Sequence, residues 1–178
     1  MITMIKAHDR QAPRRRLPAI NTAFLLILLA AFLASGISQL RADDANLAPN
    51  TDYQPQEVVK IVINALQSNS EDANDDGIAT VFRFASPGNR AQTGPLKRFT
   101  NMIRIGYPEM LNHAEARFDP IAISGETAVQ AVWLYTDEGV EIGYAFQLGR
   151  QQSGEFQGMW MTDSVIPLGK GPNSGTRI

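Results

Sequence analysis

Thr127-Ala-Val-Gln-Ala-Val-Trp-Leu-Tyr-Thr136-Asp-Glu-Gly139-Val-Glu-Ile-Gly-Tyr-Ala-Phe-Gln-Leu-Gly149 decides the fold of this chain. Val140, Ile142, Tyr144, Phe146 and Leu148 alternate with Glu141, Gly143, Ala145, Gln147 and Gly149. That period of two belongs to a strand with one buried face. Thr127 to Thr136, rich in Val, Trp and Tyr, predicts the strand before it, and Asp137-Glu138-Gly139 the turn between. Upstream, Ala114 to Ile123 reads as a strand that Pro120 confines to an edge or a bulge, closed by the turn Ser124-Gly125-Glu126. Downstream, Gln151 to Glu155 reads as a loop and Phe156 to Ile166 as the last strand.

The period changes before His113. Pro55 suits a first helical position, and Val58, Ile61, Val62, Ala65 and Leu66 then share one face. After polar Asn69 to Asp75, a second helix carries Ile78, Val81, Phe82 and Ala85 and stops at Ser86-Pro87-Gly88-Asn89. A third begins near Thr93-Gly94-Pro95, carries Leu96, Phe99 and Ile103, and ends at Gly106 and Pro108, with one more turn through Leu111. Helices followed by an antiparallel meander give an α+β fold, the helices packed on one face of a curved sheet. Trp133, Tyr144, Phe146 and Trp160 are expected to meet Phe82 and Phe99 in the core.

Ahead of the domain stands an address. Lys6, Arg10 and Arg14-Arg15-Arg16 precede the apolar run Ala23 to Ile37, the pattern of a secretory signal. Ala42 offers a cut before Asp43-Asp44, although Leu40 occupies the third position before it, where a small residue is preferred. The alternative is an uncleaved anchor, because no charge interrupts Leu17 to Leu40 and a spanning helix needs ~20 residues. The arginines would then stay in the cytoplasm and the domain would lie outside. Arg14-Arg15 hints weakly at twin-arginine export, against which Pro18 speaks. The expected organisation is a signal peptide or membrane anchor over 1–42, a linker over 43–54, the α+β domain over 55–168 and a disordered tail over 169–178. The expected location is the periplasm or the outer side of a membrane.

Composition removes several function classes. Without cysteine there is no lipoprotein thiol, no disulfide and no thiol catalysis. Residues 1–42 hold six of the sixteen Lys and Arg and one of the eighteen Asp and Glu. The remainder therefore has ten basic and seventeen acidic residues, a formal charge of −7. A domain so acidic argues against general nucleic-acid binding.

The chemical motifs are sparse. Asp72, Asn74 and Asp76, followed by Gly77, match the first half of an EF-hand loop, but its twelfth position is Arg83 where a bidentate Glu belongs. A helix start capped by Asp75 or Asp76 explains the same residues. His113 is the one histidine beyond the leader, a candidate acid or base at a helix-to-strand junction, where a His often just bonds to backbone. A triad with Ser86 or Ser124 lacks the glycine-flanked elbow. Asp163, closing Trp160-Met161-Thr162-Asp163, is a candidate pocket carboxylate or a strand-end turn. Gly143, Ala145 and Gly149 leave one sheet face with little bulk, either as a cleft bordered by Tyr135, Tyr144 and Gln147 or for close helix packing. Tyr107, Trp133, Tyr144, Gln147 and Trp160 are the expected pocket residues. No cofactor is expected.

Several of these residues carry a resemblance. Gly77-Ile78, Phe84-Ala85-Ser86-Pro87-Gly88-Asn89, Thr93-Gly94-Pro95 with Arg98-Phe99 and Met102, and Trp160-Met161-Thr162-Asp163 together resemble an uncharacterised domain-of-unknown-function family of exported bacterial and organelle-targeted algal and plant proteins. The resemblance spans about Pro55 to Pro167 and brings no settled activity. The order of elements is also similar to the nuclear transport factor 2-like, or cystatin-like, superfamily, whose sheet wraps a helix into a cone with a pocket. That resemblance implies isomerases and dehydratases, or binding and dimerising modules. Tyr107, His113 and Asp163 are the loose counterparts of the enzymes' Tyr, His and Asp. Two functions follow as expectations, with calcium binding through Asp72, Asn74 and Asp76 as a lesser third. One is a non-catalytic module binding a small molecule, a protein or a second copy of the chain. The other is a small acid–base enzyme using Asp163 or His113.

Overall fold

The computed structural model describes residues 47–70 and 74–171. The export or anchor segment, Asp72 and residues 172–178 lie outside the described residues. Among these residues four α-helices precede five antiparallel strands. They are α1 Pro55–Gln67, α2 Asp76–Phe84, α3 Pro87–Thr93 and α4 Leu96–Gly106, then a 3-10 turn Pro108–Met110. The strands are β1 Glu115–Phe118, β2 Ala122–Ser124, β3 Thr127–Tyr135, β4 Glu141–Arg150 and β5 Trp160–Lys170. The open sheet runs β1-β3-β4-β5, and β2 also pairs with β3. Asp119-Pro120-Ile121 is the break between β1 and β2, where proline cannot donate to the ladder.

Local chemistry sets the helix ends. Pro55 opens α1, where its missing N–H costs nothing, and Glu57 Oε2 accepts from the Gln54 N–H at 2.7 Å. α2 does end just before the residues expected to stop it, and those residues also start α3. Ser86 Oγ accepts from the Asn89 N–H at 3.2 Å and Pro87 takes the first helical position. At α2 neither Asp75 nor Asp76 makes the expected side-chain cap. Asn69 Oδ1, from the end of α1, accepts from the Ile78 N–H at 3.1 Å.

The core lies between the helices and one sheet face. On β3 the even-numbered residues Ala128, Gln130, Val132 and Leu134 are buried, and on β4 so are Tyr144, Phe146 and Leu148. Val58, Val59, Val62, Ile63 and Leu66 of α1 meet them, with Ile78, Val81 and Phe84 of α2 and Phe99 and Ile103 of α4. Each fully buried side chain of this kind contributes about 1.5–3 kcal/mol by leaving water. Phe84 is fully buried whereas Phe82 is only partly so, its ring tilted against Phe99 with centroids 5.2 Å apart. Leu47 and Tyr53, in the stretch read as linker, pack on the same core.

Three expectations about the sheet are corrected. Trp133 does not join Tyr144, Phe146 and Trp160 in the core. It stands on the opposite face, because it pairs with Gly143 rather than with an inward residue. Trp160 to Asp163 opens the last strand rather than ending it, and Gly169 and Lys170 belong to that strand, not to a tail. Two register shifts, at Gly143/Tyr144 and Gln147/Leu148, bend the β4–β5 ribbon.

Candidate functional site

A cavity of about 180 Å³ lies between the helical layer and β4–β5. Val62 and Leu66 of α1, Val81 of α2, and Phe99, Met102 and Ile103 of α4 line it with Phe146. Ala85, Asn89, Gln92, Thr93, Tyr107, Met110 and the β5 segment Thr162 to Val165 complete the wall. Thr162 pairs with Leu148, whose side chain is buried on the helix-covered face, so Thr162 points the same way. It is 3% exposed, yet its Oγ1 has no hydrogen-bond partner. A buried hydroxyl left unpaired costs about 1–3 kcal/mol, so such groups are rare.

The backbone around Thr162 is held firmly. Its carbonyl accepts from the Ser86 N–H at 2.9 Å and from Asn89 Nδ2 at 3.1 Å. Asn89 Oδ1 in turn accepts from Thr93 Oγ1 at 3.1 Å. This lattice seats the first turn of α3 on β5 and fixes the threonine beside the apolar wall. Arg90, 4.7 Å from the Phe156 ring centroid, ties the same short helix to the β4–β5 loop.

The residues anticipated from sequence divide between the two sheet faces. Tyr107 lines the cavity, and Asp163 reaches its rim while its exposed carboxylate lies over Gly149. Tyr144 and Trp160 are core residues outside the lining. Burial, then the charge of Glu109 and the neighbouring Tyr107, pushes the Tyr144 phenol up to about 12, so it stays protonated near neutral pH. Trp133 and Gln147 stand on the far face, where Ser164 Oγ donates to Gln147 Oε1 at 2.6 Å. There the Trp133 ring fills the space over Gly143, where a Cβ would come within 2.6 Å of it. Ring and carboxylate, not a cleft or a helix, occupy the room left by these two glycines.

His113 is 3% exposed and does not line the cavity. Its Nδ1 sits 2.9 Å from the Met110 carbonyl and so carries the proton, leaving Nε2 buried and unpaired. Burial outweighs the Met110 hydrogen bond and lowers the imidazole pKa below its ordinary value. The sign for stability follows. Above the ordinary value of 6.5 the ring is neutral in folded and unfolded chains alike. As pH falls through 6.5 the unfolded chain takes up the proton first, so stability drops until the lower folded pKa is passed. Unfolding midpoints should therefore decline below pH 6.5, and His113→Gln should flatten that decline. Identical slopes in both proteins would exclude His113 as its source.

The acidic segment before α2 is structural where it is described. Asn74 and Asp75 have left-handed backbone, with φ 57° and 58°. Arg104 Nη2 donates to both Asp75 oxygens at 2.9 Å, and Asn69 Nδ2 donates to Oδ1 at 3.1 Å. Burial acts to raise the Asp75 pKa, but the Arg104 and Asn69 hydrogen bonds and the Arg104 charge outweigh it and hold it low. No group of three or more acidic or imidazole side chains among the described residues is arranged to hold a metal ion.

Helices on one face of an antiparallel sheet, with a partly open, largely apolar cavity between the layers, define an α+β domain. The chain belongs to the family described as "Domain of unknown function (DUF4864)", which matches residues 49–169. No curated protein and no solved structure matches the chain significantly.

Proposed function

We propose that this domain is a non-catalytic binding module that holds a small molecule between its helices and sheet, on the outer side of a membrane. The observation that carries the reading is the cavity itself, about 180 Å³ and largely apolar, between the helical layer and the sheet. The nuclear transport factor 2-like resemblance supports the same placement, since its pocket lies between sheet and helices. The outer location rests on the arginines before Ala23 to Ile37. Acid–base catalysis finds no support, as His113 does not line the cavity and the Asp163 carboxylate turns to solvent.

Full-length protein purified from its source cells, extracted and analysed by mass spectrometry, should release an apolar compound. Met102→Trp places a larger ring in the cavity from a half-buried helical position, and should keep the melting temperature but lose the compound. Extracts that match between the two folded proteins overturn the proposal.

A further inference from the structure

We infer that α4 docks on an anionic lipid bilayer through its outward face, with Lys97 and Arg98 at the headgroups and Ile105 at the acyl boundary. The inference is independent of what the cavity holds, so a failure of ligand binding would leave it standing.

Charge is unevenly distributed along the domain. Between Gly77 and Pro108 there are five basic residues, Arg83, Arg90, Lys97, Arg98 and Arg104, and no acid. The rest of residues 43–178 holds five basic and seventeen acidic residues. Positive charge is thus concentrated on α2, α3 and α4. Three of these cations are engaged within the domain. Arg83 donates to the Leu47 carbonyl and to Thr80 Oγ1, Arg104 pairs with Asp75, and Arg90 lies over the Phe156 ring. Lys97 and Arg98 are exposed, and neither makes an ion pair among the described residues.

Helical spacing puts these two cations beside an exposed apolar side chain. Lys97, Asn101 and Ile105 follow at i, i+4 and i+8, and Arg98 lies seven residues before Ile105, so the four share one face. All four are exposed, while Phe99 and Ile103 form the buried face on the other side of the helix. Ile105 is 83% exposed, the most of any large hydrophobic among the described residues. Next to it, nothing lies within 4 Å of a Cβ at Gly106, so this end of α4 faces open space.

That combination selects the partner. A membrane interface offers phosphates to the cations and, a few ångströms deeper, hydrocarbon to the isoleucine. Nucleic acid would use the cations and leave Ile105 in water. The domain's net negative charge does not forbid the contact, because the Debye length is ~8 Å at physiological ionic strength and the charges nearest the surface dominate. The run Ala23 to Ile37, read as an export signal or anchor, brings the domain to such a surface.

The chain has no cysteine, so one introduced thiol gives one labelling site. Full-length protein labelled with bimane at Asn101→Cys, or at Val129→Cys on the outer sheet face, is mixed with or reconstituted into vesicles carrying a headgroup nitroxide quencher. The readout reports α4 itself, so it serves anchored and cleaved protein alike. With phosphatidylglycerol in the vesicles, the probe at 101 should be quenched and the probe at 129 should not. High salt should release the quenching. Lys97→Gln with Arg98→Gln should lower the ratio of docked to undocked domain ~25-fold, from ~5-fold per cation at an anionic surface. Ile105→Ser should lower it ~10-fold. All these positions are exposed, so melting temperatures should not change. Equal quenching at 101 and 129, or quenching indifferent to these substitutions, overturns the proposal. Equal quenching in purely phosphatidylcholine vesicles overturns the role of charge. A probe at 101 that ignores anionic vesicles but responds to polyglutamate overturns the bilayer in favour of an acidic protein partner.

Discussion

Gly77→Ala should destabilise the domain by about 2–3 kcal/mol, against the helix-propensity gain of up to ~1 kcal/mol that alanine normally brings. Gly77 is the second residue of α2, at its closest approach to α1. A Cβ there would fall inside contact distance of the Ala65 carbonyl oxygen and 2.9 Å from Asn69 Oδ1. Neither neighbour can give way cheaply. Ala65 is in the backbone of α1, whose Val62, Ile63 and Leu66 are fixed in the core. Asn69 caps α2 through the Ile78 N–H and holds Asp75 in place for Arg104. Pushing the two helices apart would loosen Ile78 and Val81, and with them one wall of the cavity. Gly106→Ala supplies the control, because nothing lies within 4 Å of a Cβ at that position. It should be neutral or slightly stabilising. Equal unfolding midpoints for the two variants would refute the close-approach argument.

Why Gly77 sits there was only half legible in the sequence. Asp76-Gly77 before Ile78, Val81 and Phe82 marks a helix start, but a glycine's neighbour across space leaves no trace in its local pattern. Elements with strong periods were readable: α1 from Pro55, the β3–β4 hairpin from its alternation, and the β1–β2 break from Pro120. α3 was missed although its signal was present. Ser86-Pro87-Gly88-Asn89 reads as a stop when Pro and Gly are taken alone, and as an N-cap with proline at the first helical position when read from Ser86. Trp133 was misplaced for a similar reason. Its odd position between Val132 and Leu134 puts it on the outer face, yet its bulk argued for the core.

The site was less legible than the fold. Tyr107 and Asp163 were anticipated and do reach the cavity wall, whereas Thr162 was quoted only as part of a motif. Finding it required the register of β5 against β4, including the bulge at Asp163 that lets Thr162 face inward beside Leu148. Register depends on tertiary pairing, and a shift of one residue reverses every side chain. The Asn89 and Thr93 contacts likewise depend on where α3 docks, not on any spacing along the chain.

Glu141→Ala should cost a further measure of the same size, about 2–3 kcal/mol, from a position that alternation assigns to the solvent side of β4. The outward direction is right and the exposure is not, since Glu141 is 0% exposed. Tyr135, its cross-strand partner, donates its hydroxyl to Glu141 Oε1 at 2.6 Å, and Arg117 Nη2 lies 3.5 Å from the same oxygen. Arg117 also pairs with Asp119 and covers the Trp133 ring, whose Nε1 donates to Asp119 Oδ2 at 2.9 Å. The carboxylate therefore closes a polar network over β1, β3 and β4. Gly171 packs so tightly on its side chain that no Cβ fits there without displacing it. Alanine would leave a void and strip the Tyr135 hydroxyl of its acceptor. Glutamine keeps the volume and one acceptor oxygen, so Glu141→Gln should lose only about 1 kcal/mol. Arg117→Ala should cost less than Glu141→Ala, because the guanidinium is about half exposed and water can replace it. Denaturant unfolding of the three variants orders these effects. If Glu141→Ala proves as mild as Glu141→Gln, neither the buried volume nor the Tyr135 hydrogen bond contributes what this geometry assigns to it.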